Sequence, residues 1–444
     1  MKKNLHILSL GCPKARVDTE VMLGQLRKTG WSLTPDPERA DAIVINTCAF
    51  LQESIEESID EILAYADYKR GRCKKLIVAG CLPSRFEAEM DDLRSSLPEV
   101  DEFLTTRQID GIVHAVDGIY PDPDRDYFLE RELASKQSFA YLKISEGCNR
   151  RCSFCTIPSI RGKQVSRPLE SLIREAEGLA AAGVKEIVLV AQELTGYGTD
   201  IGLKDGIIQV IDAIEKIDGI EWIRMLYAYP WNFSDALLER VGQGKLLPYV
   251  DIPLQHVSQH ILDDMRRHVT RDEQDSLLRR LRDIPGLVLR TSLIAGYPGE
   301  TEDDVDELID WIREIRFDRL GVFVYSAEPG TPAGDRSDQI PLEVRQARRD
   351  RIMEAQQEIS ASMMQDLVGD HLRVLVDGYS PEHELVLTGR YYGQAPEVDG
   401  QVFLSYENCD CDVAEIGDFV DVEIVEATEY DLVGNVIDGD AEEA

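Results

Sequence analysis

The chain has 444 residues, 43% of them hydrophobic, so it can bury a large core and should divide into two to four domains. Its 48 Lys and Arg stand against 83 Asp and Glu, and the formal net charge of −35 disfavours binding to a phosphate backbone and favours a basic partner. Because no apolar signal segment follows Met1 and no apolar run is long enough to cross a membrane, we expect a cytoplasmic protein whose nine cysteines are free or metal-bound.

Residues 1–120 have the pattern of strand–helix units. Apolar runs at 5–10, 42–46 and 76–79 predict buried parallel strands, and helices are expected near 18–29 and 52–68. A cysteine follows each strand, and the three are Cys12, Cys48 and Cys81. In an open parallel α/β sheet the carboxyl ends of the strands meet at one edge, where ligands bind. We therefore expect the three cysteines to converge on an iron–sulfur cluster, although each alone could be a small buried core residue.

Residues 121–138 lack any periodicity and are predicted to be a linker. Six strand–helix units follow in residues 139–330, which predicts an open partial (β/α)6 barrel and not a closed barrel of eight units. Sites on such barrels are built from the loops that follow the strands. The candidate residues in these loops are Cys148, Cys152, Phe154, Cys155, Gln192, Glu193, His256 and Gly296.

The loop after the first barrel strand contains three cysteines separated by three residues and then two. Three thiolates can hold a four-iron four-sulfur (4Fe-4S) cluster and leave one iron open to an outside ligand. Structural zinc usually takes four protein ligands, and an electron-transfer ferredoxin supplies four thiolates to each cluster. The spacing therefore favours redox chemistry at an exposed iron.

The C-terminal part of the chain changes character. Residues 331–370 are predicted to form a linker and a long helix, 371–438 a small antiparallel β-barrel, and 439–444 an acidic tail. From residue 372 onward there are 19 Asp and Glu against 2 Lys and Arg. A small barrel that binds RNA is expected to be basic, so this one predicts a basic protein partner.

The cysteine loop, with Phe154 before its last cysteine, resembles the radical S-adenosylmethionine (SAM) superfamily. An N-terminal three-cysteine α/β domain, a radical SAM barrel and a TRAM-like C-terminal barrel together resemble the radical SAM methylthiotransferase family over nearly the full chain. The segments 10–14 and 144–150 are similar to its RimO-type branch, which modifies the small-subunit ribosomal protein S-twelve. Ala15 stands where many members of that branch have Asn. The tRNA-modifying, MiaB-like branch more typically has Gln-Met-Asn after its first cysteine.

This resemblance implies two 4Fe-4S clusters and two SAM molecules, used to insert a methylthio group at the β-carbon of an aspartate. Cys148, Cys152 and Cys155 would be the catalytic triad that holds the SAM-cleaving cluster, and Cys12, Cys48 and Cys81 would hold the auxiliary, sulfur-donating cluster. Further SAM contacts are hypotheses: Glu193 with Gln192 at the amino group, Phe154 near the adenine, Gly296 at a close backbone approach, and His256 after the fourth strand.

The implied partners are a basic ribosomal protein, docked through the acidic barrel, and an electron donor such as flavodoxin or ferredoxin. Neither a membrane nor tRNA is expected as a partner. Two alternatives stay open at this point. One is a tRNA adenosine methylthiotransferase with an unusual acidic barrel, and the other is a non-catalytic iron–sulfur electron-transfer protein.

Overall fold

The chain folds around three large sheets. The structure is a computed structural model and describes residues 3–437 apart from 121, 123, 381, 384, 408 and 410. The predicted acidic tail, 439–444, lies outside the described residues. Within the described part of the chain, no helix combines the length and the apolar character that crossing a membrane requires.

The N-terminal domain is a five-stranded parallel sheet in the order β2-β1-β3-β4-β5. Its elements are β1 (Lys3–Ser9), α1 (Pro13–Lys28), β2 (Trp31–Leu33), β3 (Ala42–Thr47), α2 (Gln52–Ala66), β4 (Lys75–Gly80), α3 (Cys81–Arg85), α4 (Met90–Ser96), β5 (Glu102–Thr105) and α5 (Ile112–Asp117). The three apolar runs correspond to β1, β3 and β4. The short strands β2 and β5 were not expected. In this order the chain reverses its direction of winding between β1 and β3, and ligands of such sheets bind at that point.

The segment 121–138 is more closely packed than a featureless linker. The side chain of Arg131 is buried, and it pairs with Glu20 of α1 and, at 2.8 Å, with Glu175 of the central domain. A buried charge is tolerated when it is paired in this way. The segment therefore fastens the first two domains together.

The central domain is an open sheet of six parallel strands in the order β6-β9-β10-β11-β12-β13, as predicted. Its strands are β6 (Phe139–Lys143), β9 (Glu186–Val190), β10 (Trp222–Met225), β11 (Leu246–Asp251), β12 (Val288–Ala295) and β13 (Arg319–Val324), with a small hairpin of β7 (Ser145–Glu146) and β8 (Val165–Ser166). Its helices are α6 (Ile157–Arg161), α7 (Leu169–Ala181), α8 (Gly206–Ile214), α9 (Asp235–Arg240), α10 (Gln259–Asp264), α11 (Arg271–Arg282) and α12 (Glu302–Ile315), followed by the long α13 (Leu342–Gln365).

The two faces of this sheet bury different partners, because successive side chains of a strand point to opposite sides. Ile187 and Leu189 of β9 pack with the surrounding helices. Val188 and Val190 of the same strand face the other way, into a core that includes Val17 of α1. That second core also contains Val21 of α1 and, from the C-terminal domain, Leu375 and Ala395. All three domains thus contribute side chains to this second core.

The C-terminal domain is a closed five-stranded barrel, made of β14 (His371–Tyr379), β15 (Leu387–Tyr391), β16 (Val402–Ser405), β17 (Phe419–Ala427) and β18 (Leu432–Val436). Its pairs are antiparallel except β16 with β18, which run parallel. Arg390 anchors this barrel to the central sheet through a buried ion pair with Glu186 at 2.6 Å. Cys409 and Cys411 form a disulfide, so the expectation that all nine cysteines are free or metal-bound is wrong for this pair.

Candidate active site

The N-terminal triad lies at the carboxyl edge of the first sheet. Cys12 caps the N-terminus of α1, Cys48 follows β3, and Cys81 is the first residue of α3. Gly11 adopts φ +94°, and a Cβ there would lie 2.9 Å from the Cβ of Cys48, so only glycine lets the strands end this closely together. Ser58 of α2 holds the Cys48 backbone by accepting from its N–H and donating to its carbonyl.

The thiols of this triad have different electrostatic surroundings. Burial would raise the pKa of Cys12, but the charges of Lys14 and Arg161 and the first backbone N–H groups of α1 outweigh it and lower that pKa. Burial raises the pKa of Cys81 to about 11, and neighbouring Cys12 and Cys48 add to the rise. The three sulfurs are therefore close enough to interact electrostatically.

The second triad lies in one loop of the central domain, after β7. The backbone folds the loop onto itself: the N–H of Cys148 donates to the carbonyl of Gly162, and that of Cys155 to the carbonyl of Cys152. Burial raises the pKa of Cys148 to about 11 and that of Cys155 to about 12. Cys152 adds to the rise in both cases, and Cys148 adds to the rise at Cys155.

One arginine donates to a cysteine in each triad. Arg267 donates to the Sγ of Cys152 at 3.3 Å, and Arg161 donates to the Sγ of Cys81 at the same distance. Both arginines are buried. Hydrogen bonds and positive charge at ligand sulfurs stabilise thiolates and tune the potential of any cluster they hold.

A buried charge network lies between the triads. Glu146, two residues before Cys148, accepts from Lys143 at 2.8 Å and from Arg161 at 2.7 Å. Lys143 also pairs with Asp18 of α1. Burial alone would raise the pKa of Glu146, but Arg161 and Lys143 hold it well below its usual range. Because Arg161 also reaches Cys81, this network joins the loop triad to the N-terminal triad.

Both triads have the donor set that a 4Fe-4S cluster requires: three thiols, flanking cations and partial burial. No group of three or more His, Cys, Asp or Glu side chains in the described ranges already has the spacing of a metal-ion site. A four-iron cluster is larger than a single ion, so its ligand sulfurs stand further apart than those around one metal. The residues present fit such a group.

The expected SAM contacts near the loop triad have partners within the chain. Gln192 donates to Glu146 at 2.9 Å, while its buried Oε1 has no hydrogen-bond partner among the described residues. Glu193 is buried and accepts from Thr195 at 2.8 Å and from Arg150 at 3.2 Å. Phe154 packs against a small core that contains Tyr297. Their predicted contacts with SAM remain predictions.

His256 and Gly296 have neighbours that the sequence did not suggest. His256 is fully buried, its Nδ1 accepts from the N–H of Ser258, and its Nε2 lies 3.4 Å from Glu300 without a well-aligned hydrogen bond. Gly296 has φ +81° and donates to Glu300 at 2.9 Å, and the Arg345 side chain fills the space beside its Cα. In this structure the open side of Gly296 therefore accommodates Arg345, which differs from the expected close approach to a cofactor.

Sequence reasoning missed four functional candidates: Arg161, Arg267, Glu146 and Lys14. The guanidinium groups of Arg150 and Arg267 both lie near the ring of Tyr229, with their Cζ atoms 4.3 and 4.4 Å from the ring centroid. In the sequence these are ordinary charged residues, and the burial of Lys14, Arg161 and Arg267 becomes visible only in the fold.

Three family models match the chain. Residues 4–105 match the uncharacterized protein family UPF0004, 142–312 match the radical SAM superfamily, and 368–437 match the TRAM domain. The structure of the radical SAM methyltransferase TsrM from Kitasatospora setae, with cobalamin and a [4Fe-4S] cluster bound, is 14% identical, with a TM-score of 0.51 over 75% of this chain and 74% of that chain. This likeness concerns the fold alone.

The chain is an enzyme of the radical SAM class, for which a 4Fe-4S cluster and SAM are the implied cofactors. Ribosomal protein uS12 methylthiotransferase RimO from Anaeromyxobacter sp. (strain Fw109-5) is 47% identical over 99% of this chain and 94% of that protein. The RimO protein of Geotalea uraniireducens (strain Rf4) is 44% identical over 98% of this chain and 99% of that protein. The chain therefore belongs to the RimO family of methylthiotransferases, which confirms the resemblance seen in its sequence.

Proposed function

We propose that this chain inserts a methylthio group at the β-carbon of an aspartate of ribosomal protein uS12, with two 4Fe-4S clusters and two SAM molecules. Cys148, Cys152 and Cys155 would hold one cluster, and Cys12, Cys48 and Cys81 the other. The chemistry that these groups supply when bound is a radical able to take hydrogen from an unactivated carbon, a sulfur atom and a methyl group. The relatives' names support uS12 as the substrate.

One observation carries this proposal: Arg161, six residues after Cys155, donates to Cys81 of the other triad. Hydrogen abstraction and sulfur delivery have to act on the same carbon, so the two centres must be neighbours. An electron carrier would supply four thiolates to each cluster, whereas each triad here supplies three. The contact therefore supports a two-centre insertion.

The residues around the triads would keep this geometry fixed. Glu146 accepts hydrogen bonds from Lys143 and Arg161. Asp18 of α1 forms ion pairs with the same two cations. These side chains are already paired and largely removed from water, so little reorganisation is needed at the moment of reaction. Their role in the proposal is to orient the two triads and to exclude water.

The acidic barrel would dock the basic substrate. Asp418, Glu423 and Glu426 are exposed on or beside β17, and within the described ranges none of them has an ion-pair partner. Unpaired surface carboxylates attract a basic partner and accelerate its association. They also disfavour tRNA, whose phosphates carry the same sign of charge.

The decisive experiment is an anaerobic incubation of the reconstituted protein with SAM and a reductant, in parallel with small ribosomal subunits and with bulk tRNA. Mass spectrometry should find an added methylthio group on one aspartate of uS12 and none on tRNA. Modification of tRNA instead would establish the MiaB-like alternative. Absence of methionine and deoxyadenosine from SAM would favour a non-catalytic electron carrier.

Docking is tested by neutralising the three barrel carboxylates together, as Asp418→Asn, Glu423→Gln and Glu426→Gln. Deleting the barrel is less informative, because Leu375 and Ala395 belong to the shared core. The triple variant should associate with uS12 about tenfold more slowly at low salt, and the difference should shrink as salt screens the charges. The control neutralises three exposed carboxylates of α2, Glu53, Glu56 and Glu57. Equal slowing in the control would reduce the effect to net charge and contradict barrel docking.

A further inference from the structure

Lys14 differs from the other buried cations of the molecule. It is 8% exposed, two residues after Cys12, and has neither a hydrogen bond nor an ion pair among the described residues. Each of the other buried lysines and arginines in the described ranges has at least one hydrogen bond acceptor; these are Lys143, Arg161, Arg167, Arg224, Arg267, Arg319, Arg348 and Arg390. The Nζ atom is not fully enclosed, so an acceptor from outside the chain can reach it and would supply the hydrogen bond that it lacks among the described residues.

The contact that Lys14 does make locates its ammonium group. The Nζ atom lies 3.6 Å from the centroid of the Tyr227 ring. Tyr227 follows β10 at the carboxyl edge of the central sheet, and its φ of +65° is unusual for a residue with a side chain. Its N–H donates to Asp251 at the end of β11, which fixes the loop. Lys14 therefore bridges the N-terminal triad and the edge where radical SAM barrels place their chemistry.

Two nearby cations are already paired with carboxylates. Arg16, half a turn further along α1, is already paired with Glu20 and Glu397. Arg150 is paired with Glu193. Among the buried lysines and arginines of the described residues, Lys14 is the one without a hydrogen-bond acceptor, so a negatively charged ligand arriving between the two triads can pair with it without breaking an existing bond.

The proposed substrate residue carries such a charge at a useful distance. In aspartate the β-carbon is bonded directly to the carboxylate carbon, so a cation that holds the carboxylate also positions the carbon that loses hydrogen and gains sulfur. A nucleobase offers no carboxylate. In a chain with a net charge of −35, a local cation is also needed to offset repulsion of the incoming acid.

We propose that Lys14 binds the carboxylate of the target aspartate and thereby selects aspartate and places its β-carbon between the two triads. This inference rests on the proposed function. Lys14 is then a residue that contacts the substrate and determines specificity, and Tyr227 is the surface on which its ammonium group rests.

The test measures binding by fluorescence anisotropy, under anaerobic conditions, of reconstituted holoenzyme to labelled recombinant uS12 and to uS12 with the target aspartate changed to asparagine. The wild type should bind the aspartate form about tenfold more tightly, the effect of one charge-assisted hydrogen bond. Lys14→Met should bind both forms alike, and Lys14→Arg should retain most of the preference. The matched control Arg16→Met removes a paired cation from the same helix and should keep the preference.

Two readouts separate this inference from other roles of Lys14. Because the charge of Lys14 also lowers the pKa of Cys12, binding is compared at equal iron content, and SAM cleavage without substrate is measured on the same preparations. A role of Lys14 through Cys12 would change the binding of both uS12 forms alike and would not remove the preference between them. If Lys14→Met weakens binding of both forms equally, or leaves the preference intact, the inference is wrong. Modification of uS12 by the wild type would then still support the proposed function. If the wild type itself binds the two forms alike, the inference fails without any variant. If wild-type enzyme modifies tRNA and not uS12, the proposed function falls and this inference falls with it.

Discussion

The two cysteine triads differ in how the chain assembles them. One is contained in the loop 148–155, although Ser153 in that loop also makes backbone hydrogen bonds with Met265 and Ala333. The other collects Cys12, Cys48 and Cys81 from three strand ends, and it exists only when β1, β3 and β4 are paired. Two similar ligand sets can thus be assembled in different ways, one from a single short loop and the other from three strands that must first pair.

The same two triads also differ in electrostatics. Cys12 lies at a helix N-terminus with two nearby cations, and its pKa is lowered. Cys148 and Cys155 lie in a partly buried loop, and their pKa values are raised to about 11 and about 12. The sheet-edge triad therefore includes a thiol prepared for deprotonation, whereas these two loop thiols depend on the bound metal to stabilise the thiolate.

The largest effect is expected from Cys152→Ala. Two remaining thiolates should not hold a SAM-cleaving cluster, so formation of 5′-deoxyadenosine should fall to background, measured by liquid chromatography after anaerobic reduction. Cys73→Ala is the control, since Cys73 is buried outside both triads. Cleavage that persists in Cys152→Ala would refute the assignment of the loop triad.

Cys48→Ala should affect the other centre alone. Roughly half of the bound iron should be lost and methylthiolation of uS12 should stop, while SAM cleavage stays measurable. Iron analysis and the deoxyadenosine assay on one preparation test this separation. Loss of both properties would mean that the two triads do not act as independent centres.

Arg161→Gln probes the link between the triads. It removes one of the two buried cations that pair with Glu146 and Asp18 and leaves Lys143 alone between the two carboxylates, so the free energy of unfolding of the iron-free protein should fall by about 2–3 kcal/mol in urea denaturation. Arg351→Gln breaks ion pairs with Glu302 and Asp306 on the surface and should cost about 0–1 kcal/mol. Equal values for the two variants would show that the buried network does not stabilise the junction.

The smallest effect is a difference in titration. In iron-free protein, iodoacetamide should alkylate Cys12 half-maximally below pH 9, Cys148 near pH 11 and Cys155 near pH 12, because only the thiolate reacts. Exposure does not separate these cysteines, all of which are partly buried. Peptide mass spectrometry gives the three profiles, and coincident profiles would remove the electrostatic half of the comparison.

The fold was largely predictable where buried strands leave runs of apolar residues in the sequence. The six strands of the central sheet and the strands β1, β3 and β4 each contain a short apolar run, which is how strands covered on both faces appear in a sequence. The strands β2 and β5 have only three and four residues, too few to show a period. The parallel pairing of β16 with β18 depends on barrel closure and has no local sign.

The candidate site was predictable only in part. Spacing alone pointed to Cys148, Cys152 and Cys155, and position at strand ends pointed to the other triad. The neighbours of these cysteines were hidden, because Arg161 reaches Cys81 across 80 positions and Arg267 reaches Cys152 across 115. Contacts at that separation follow from tertiary packing and leave no motif behind.

The core shared by the three domains has a consequence for how the protein folds. Val17 and Val21 come from the first helix and Leu375 and Ala395 from the last domain, yet both pairs pack on the same face of the central sheet. During synthesis that face stays partly uncovered until nearly the whole chain has emerged. The last step of folding therefore completes the burial of a face that the first helix covers only in part. Because the three domains depend on this face, they should lose structure together in a single cooperative transition when the completed molecule unfolds.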